Sequence, residues 1–135
     1  MSGVRAGRGL KPFRRPWLWA GLWIAAIAVV VVVSLSPAPP MPPVDHSDKL
    51  GHFLAYAVLA ASAVQLFARV PALLGAGIGL VLLGIGIEHA QGALTRTRMA
   101  DPADALANMV GVIAGLATWL TPWRDLLLRL ERVRG

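Results

Sequence analysis

The chain alternates long apolar runs with short polar breaks, and the runs are too long to be strands. Trp17 to about Leu35 carries no charged residue, and further runs extend from about Asp48 to Ala68, from about Val70 to His89 and from about Pro102 to Leu120. At 1.5 Å per helical residue, a run of about 19 residues crosses a hydrocarbon layer of roughly 30 Å. Val29 to Val33 would favour a strand in water, but in lipid the backbone must satisfy its own polar groups, which makes the segment helical. A cleaved signal segment has an apolar part of roughly 7–15 residues and a small-residue cleavage site. The first run is longer and leads into Pro37, Pro39, Pro40, Pro42 and Pro43, so it reads as a membrane anchor followed by a stiff connector. Arg69 and Pro71 leave little room between the second and third runs, which therefore form a helical hairpin. The pattern predicts an all-α integral membrane protein whose residues 17–121 form a compact bundle of four transmembrane helices.

The flanks differ from the runs. Residues 1–16 are basic and Gly-rich without an apolar period, and read as a disordered tail. Residues 122–135 set Leu126, Leu127 and Leu130 among arginines, the pattern of a short amphipathic helix lying along a membrane surface. Composition agrees: 56% of residues are hydrophobic and 15% charged, too apolar for an ordinary soluble domain. Cysteine is absent, which excludes disulfides, thiolate catalysis and thiolate metal sites.

The net charge of +6 would suggest nucleic acid in a soluble chain, but its distribution points elsewhere. Ten of the thirteen Lys and Arg residues precede the first run (Arg5, Arg8, Lys11, Arg14, Arg15), separate the second from the third (Arg69) or follow the fourth (Arg124, Arg129, Arg132, Arg134). The alternate breaks hold only Lys49, Arg96 and Arg98, and Asp45, Asp48, Glu88, Asp101 and Asp104 fall on that side. By the positive-inside rule both termini are cytoplasmic, and the basic excess meets anionic lipid and not nucleic acid. Trp17, Trp19, Trp119 and Trp123 fall at the same boundary, with Trp23 one turn deeper, as an interfacial aromatic belt requires.

Ionisable groups at membrane depth are costly and call for an explanation. Here they share the end of the bundle away from the basic tails. Residues i and i+4 share a helix face, so Asp48, His52 and Tyr56 make one stripe and Asp104, Asn108, Gly111 and Gly115 another. Glu88 and Gln91 continue the face of Gly77 and Gly84 on the third run, and Arg96 and Arg98 follow it. Stripes of this kind should face one another, with the glycines letting backbones approach closely. Some members have simpler roles: Asp101 suits an N-cap before Pro102, and Asp104 suits a first helical turn near the positive dipole end. Lys49 and Arg98 would also serve as ion-pair partners of Glu88 and Asp104. His89 points to another helix face.

The segment Asp48-Lys49-Leu50-Gly51-His52-Phe53-Leu54-Ala55-Tyr56, followed by Glu88 and Gln91 and then by Arg98, Asp101, Asp104, Asn108 and Gly111, resembles the VanZ-like family of bacterial membrane proteins. The resemblance covers residues 48–115, about half the chain. His89 stands after the glutamate where an apolar residue is more usual, and no aromatic residue follows Gln91. The resemblance implies a multi-pass protein of the bacterial cytoplasmic (inner) membrane. The family takes its name from a protein associated with resistance to the glycopeptide antibiotic teicoplanin, which agrees with a site facing the cell envelope.

The function expected is an outward-facing polar pocket that binds an anionic or glycosylated headgroup of a membrane lipid or lipid-linked envelope precursor. Asp48, Lys49, Tyr56, Gln91, Arg98, Asp104 and Asn108 would bind it, with Lys49 and Arg98 on phosphate or carboxylate oxygens. His52 and Glu88 are the candidate general acid and base if a bond is broken there. The alternative is a non-catalytic membrane scaffold in which the same polar residues form an interhelical network. No cofactor is expected, and His52, Glu88 and Asp104 match no compact metal-ligand motif, so no metal is assigned. Oligomerisation is left open.

Overall fold

The structure, a computed structural model, describes residues 9–36, 47–94 and 102–134. Among these residues the protein is all-helical: α1 (Pro16–Leu35), α2 (Ser47–Leu66), α3 (Val70–Leu94) and α4 (Pro102–Leu116) are followed by short 3-10 turns and by α5 (Leu126–Arg134). The valine run lies inside α1, helical as a backbone without water must be. Pro16 opens α1 at its first turn, where the missing N–H costs nothing, and Asp104 lies in the first turn of α4. Pro16–Leu35, Val70–Ala90 and Ala103–Leu120 are long and apolar enough to cross a membrane; the apolar part of α2, Leu50–Leu66, is shorter. The third helix runs on to Leu94, beyond the expected end near His89. The proline-rich stretch 37–43 and residues 1–8 lie outside the described residues.

The outside of the bundle is a girdle of large apolar side chains. Ile24, Val32, Leu54, Val58, Ile78, Leu82, Leu106 and Ile113 are each more than half exposed, an arrangement suited to lipid and costly in water. The inside is narrow. Tyr56, Leu59 and Ala60 of α2 meet Leu80 of α3 and Val112 of α4, and Ala63, Val64 and Leu73 continue the core toward the other end. α1 packs from outside through Trp23, Ile27 and Val30, and the Trp23 indole N–H donates to the Leu59 carbonyl at 3.0 Å.

α2 and α4 approach most closely, and small residues permit it. A Cβ on Gly111 would run into the Phe53 carbonyl oxygen, and one on Gly115 into the Ala57 carbonyl oxygen and, at 2.6 Å, the Ala60 methyl. The α3 glycines divide: Gly77 sits under Leu116 and Gly84 under Asn108, whereas Gly75, Gly79 and Gly86 have nothing within 4 Å.

Residues 9–15 depart from the disordered tail expected for 1–16. Leu10 and Phe67 form a β-bridge, with the Lys11 amide donating to the Leu66 carbonyl at 2.8 Å and the Ala68 amide to the Gly9 carbonyl at 2.6 Å. Phe13 is buried against Leu66 and Leu128. Lys11 is 4% exposed; its ammonium donates to the Arg124 carbonyl, lies 2.7 Å from the Asp125 carboxylate and sits 5.7 Å from the Trp119 ring centroid. The hydrogen bond from the Lys11 ammonium to the Asp125 carboxylate holds that carboxyl below the usual carboxylate range. Gln65 binds the C-terminal segment, donating to the Trp123 carbonyl at 2.8 Å and accepting from the Leu127 amide at 2.9 Å. These contacts join residues far apart in the chain, 58 positions for Gln65 with Trp123 and 113 for Lys11 with Arg124, and local composition is blind to them.

Gly115→Leu should force α2 and α4 apart, at a cost of at least about 1–3 kcal/mol for overpacking. The expected outcome is a marked fall in membrane level and melting temperature. Ile113→Leu, on an exposed face, should leave both unchanged.

Candidate functional site

The ends of the bundle differ in chemistry. One end gathers the start of α1, the 67–69 turn and the C-terminal segment, where Lys11, Trp19, Trp119, Trp123 and Arg124 cluster. The other collects the polar stripes of three helices.

α2 supplies His52 and Tyr56, one turn apart; α3 supplies Glu88; α4 supplies Asp104 and Asn108, also one turn apart. Glu88 and Asp104 are 5% and 6% exposed, Tyr56 and Asn108 3% each. One ligand atom each from His52, Glu88 and Asp104 lies within 4.8 Å of the others. The juxtaposition follows from packing below it. Gly111 and Gly115 bring the α4 stripe against α2, and the missing side chain of Gly84 leaves room for Asn108, whose Nδ2 would stand 3.0 Å from a Cβ there. His89, beside Glu88, is exposed on another face, as its helical position predicts.

Beside this cluster is a cleft of about 440 Å³. Val29, Val30, Val33 and Ser34 of α1 form one wall, and Gly51, His52, Ala55 and Tyr56 of α2 form the facing one, with Ile87 and Asn108 completing it. The cleft is thus apolar toward α1 and polar toward α2 and α4. Comparison with family models, with curated proteins and with solved structures finds no match to this chain. The chemistry of the site therefore stands on its geometry.

Of the expected site residues, His52, Tyr56, Glu88, Asp104 and Asn108 come together. Asp48 and Lys49 lie in the first turn of α2 and Gln91 in the last turns of α3, but their side chains, together with Arg98 and Asp101, lie outside the described residues. The side chains brought together offer one imidazole, two carboxylates, a phenol and an amide within a small volume. Such a set can share protons or hold a cation. His52, Glu88 and Asp104 match no compact metal-ligand motif in the chain, but the fold brings their ligand atoms together.

Two features of the structure have little local signal in the sequence. The α1 wall of the cleft had no signal, because Val29, Val30 and Val33 look like any other lipid-facing valines. Lys11 stands among the tail arginines, with only its neighbours Leu10 and Phe13 as a faint apolar hint.

Because native cysteine is absent, the register of α3 against α4 is open to direct measurement. A Cβ at Gly84 would stand 3.3 Å from that of Asn108, close to disulfide range. The pair Gly84→Cys with Asn108→Cys should therefore lose thiol alkylation on mild oxidation and regain it on reduction, whereas Gly79→Cys with Asn108→Cys should remain alkylated.

Proposed function

We propose that this protein is a multi-pass membrane protein of the VanZ-like family, with four spans and both termini in the cytoplasm, whose polar pocket binds an anionic or glycosylated headgroup of a cell-envelope lipid. The observation that carries the reading is the cleft between α1 and α2. Its valine wall suits acyl chains, and its opposite wall presents His52, Tyr56 and Asn108 beside the buried carboxylates of Glu88 and Asp104. A lipid with a polar head needs both surfaces side by side, with polar groups few and oriented. Lys49 and Arg98, at the same end in sequence, would meet the anionic oxygens. The gathering of basic and aromatic residues at the opposite end supports an outward-facing pocket in the inner membrane.

A periplasm-only enzyme reporter fused after Gly135 should be silent in cells, and activity there would overturn the orientation. The binding reading is separated from the scaffold reading by Glu88→Gln, Arg98→Gln and His52→Gln. In a scaffold, neutralising one partner of a buried ion pair costs about 3–5 kcal/mol, and less at a wet interface. Abundance, melting temperature and function would then decline together. In a binding site, charge is held at the expense of stability. At least two of the three variants should keep normal abundance and melting temperature while losing the gene's envelope phenotype, read as glycopeptide or detergent sensitivity.

A further inference from the structure

His52, Glu88 and Asp104 come from three helices, separated by 36 and 16 positions in the chain, yet one ligand atom from each falls within 4.8 Å of the others. We propose that these three side chains are the protein ligands of a site for one divalent first-row cation, with zinc the best match. The inference rests on reading the polar pocket as a ligand site and deepens it, since a cation held there would give an anionic headgroup its counter-charge.

The ligand chemistry selects the ion. With cysteine absent, the set is one imidazole and two carboxylates. Imidazole suits zinc and its neighbours, whereas magnesium and calcium prefer oxygen alone. Three protein ligands also match zinc sites that keep a position open for water or substrate. At zinc–ligand distances of about 2.0–2.2 Å, tetrahedral donors stand about 3.4 Å apart, so small side-chain rotations on three helices would close the set around an ion. The buried Nδ1 of His52 makes no hydrogen bond among the described residues, so an ion there would displace no neighbour from it.

A second observation points to an occupant. The Tyr56 hydroxyl and the Asn108 Oδ1 are buried and make no hydrogen bond among the described residues, although each residue is only 3% exposed. Buried polar atoms in native proteins are almost always satisfied by protein, water or an ion. Tyr56 lies one turn from His52 and Asn108 one turn from Asp104, and both line the cleft with His52. Water on a bound cation would donate to the Asn108 amide oxygen and to the Tyr56 phenol oxygen, satisfying both.

The test uses the full-length protein in phosphatidylcholine nanodiscs, so that no anionic headgroup is present. After stripping with chelator, it is equilibrated with Zn²⁺ or Mg²⁺, and bound metal is measured by elemental analysis and titration. The wild type should take up about one Zn²⁺ per chain and little Mg²⁺. Glu88→Gln, Asp104→Asn and His52→Gln should each weaken Zn²⁺ binding at least tenfold. His89→Gln and Asp125→Asn, which alter an exposed imidazole and a carboxylate at the far end, should bind as wild type. Absence of saturable Zn²⁺ binding, or equal loss in the His89 variant, overturns the proposal. Should the cluster variants fail to fold, Co²⁺-substituted wild type decides: weak visible bands of nitrogen and oxygen ligation that Zn²⁺ abolishes support the site, and a spectrum of free Co²⁺ overturns it. A chain that binds no Zn²⁺ but still loses its envelope phenotype on Glu88→Gln at normal abundance refutes the metal site and leaves the headgroup pocket standing.

Discussion

Gly111 and Gly115 let the α4 backbone lie against the Phe53 and Ala57 carbonyls of α2, and the polar ends of the two helices meet because of it. Where lipid replaces water, apolar surface gains nothing by leaving the solvent, so helices are held by close van der Waals contact and by polar groups with nowhere else to go. The two forces act along one face of α4. Small residues draw the backbones together in the middle of the bundle, and Asp104 and Asn108 then project at its end toward His52 and Tyr56. A bulkier residue in the middle would move the chemistry at the end.

The bundle is polarised along its length. At one end the Trp119 ring is flanked by Lys11 and by the Arg124 guanidinium, 5.1 Å from its centroid, and the C-terminal segment is tied to the N-terminal one through Lys11 and Glu131 and to α2 through Gln65. These links join segments that enter and leave the apolar bundle at the same level. At the other end no such strapping is needed to explain the burial of Glu88 and Asp104, since three helices converge on them. Cationic side chains with aromatic faces occupy the first end, and acidic and imidazole groups the second.

α1 stands apart from the other three long helices. None of its residues is buried, and it leans on the core through Trp23, Ile27 and Val30 while its valines form the outer wall of the cleft. In the proposed reading, a loosely packed helix over a polar cleft would admit a lipid from the side, because the contacts to be parted are between apolar surfaces that lipid can replace.

The helical class and most helix boundaries were legible in the sequence, because in lipid a long uncharged run has almost no other way to satisfy its backbone. The facing of Asp104, Asn108, Gly111 and Gly115 toward another helix was legible too, since helical periodicity puts them on one stripe. What periodicity could not give was the partner: α2 follows α1 and precedes α3 in the chain, yet its closest neighbour is α4. Only tertiary packing decided that His52, Glu88 and Asp104 would share one small volume, that Val29, Val30 and Val33 would wall a cleft, and that Lys11 would be buried and not tethered in a loose tail. Each depends on contacts between distant positions, and local sequence carries the face a residue occupies but not the face it meets.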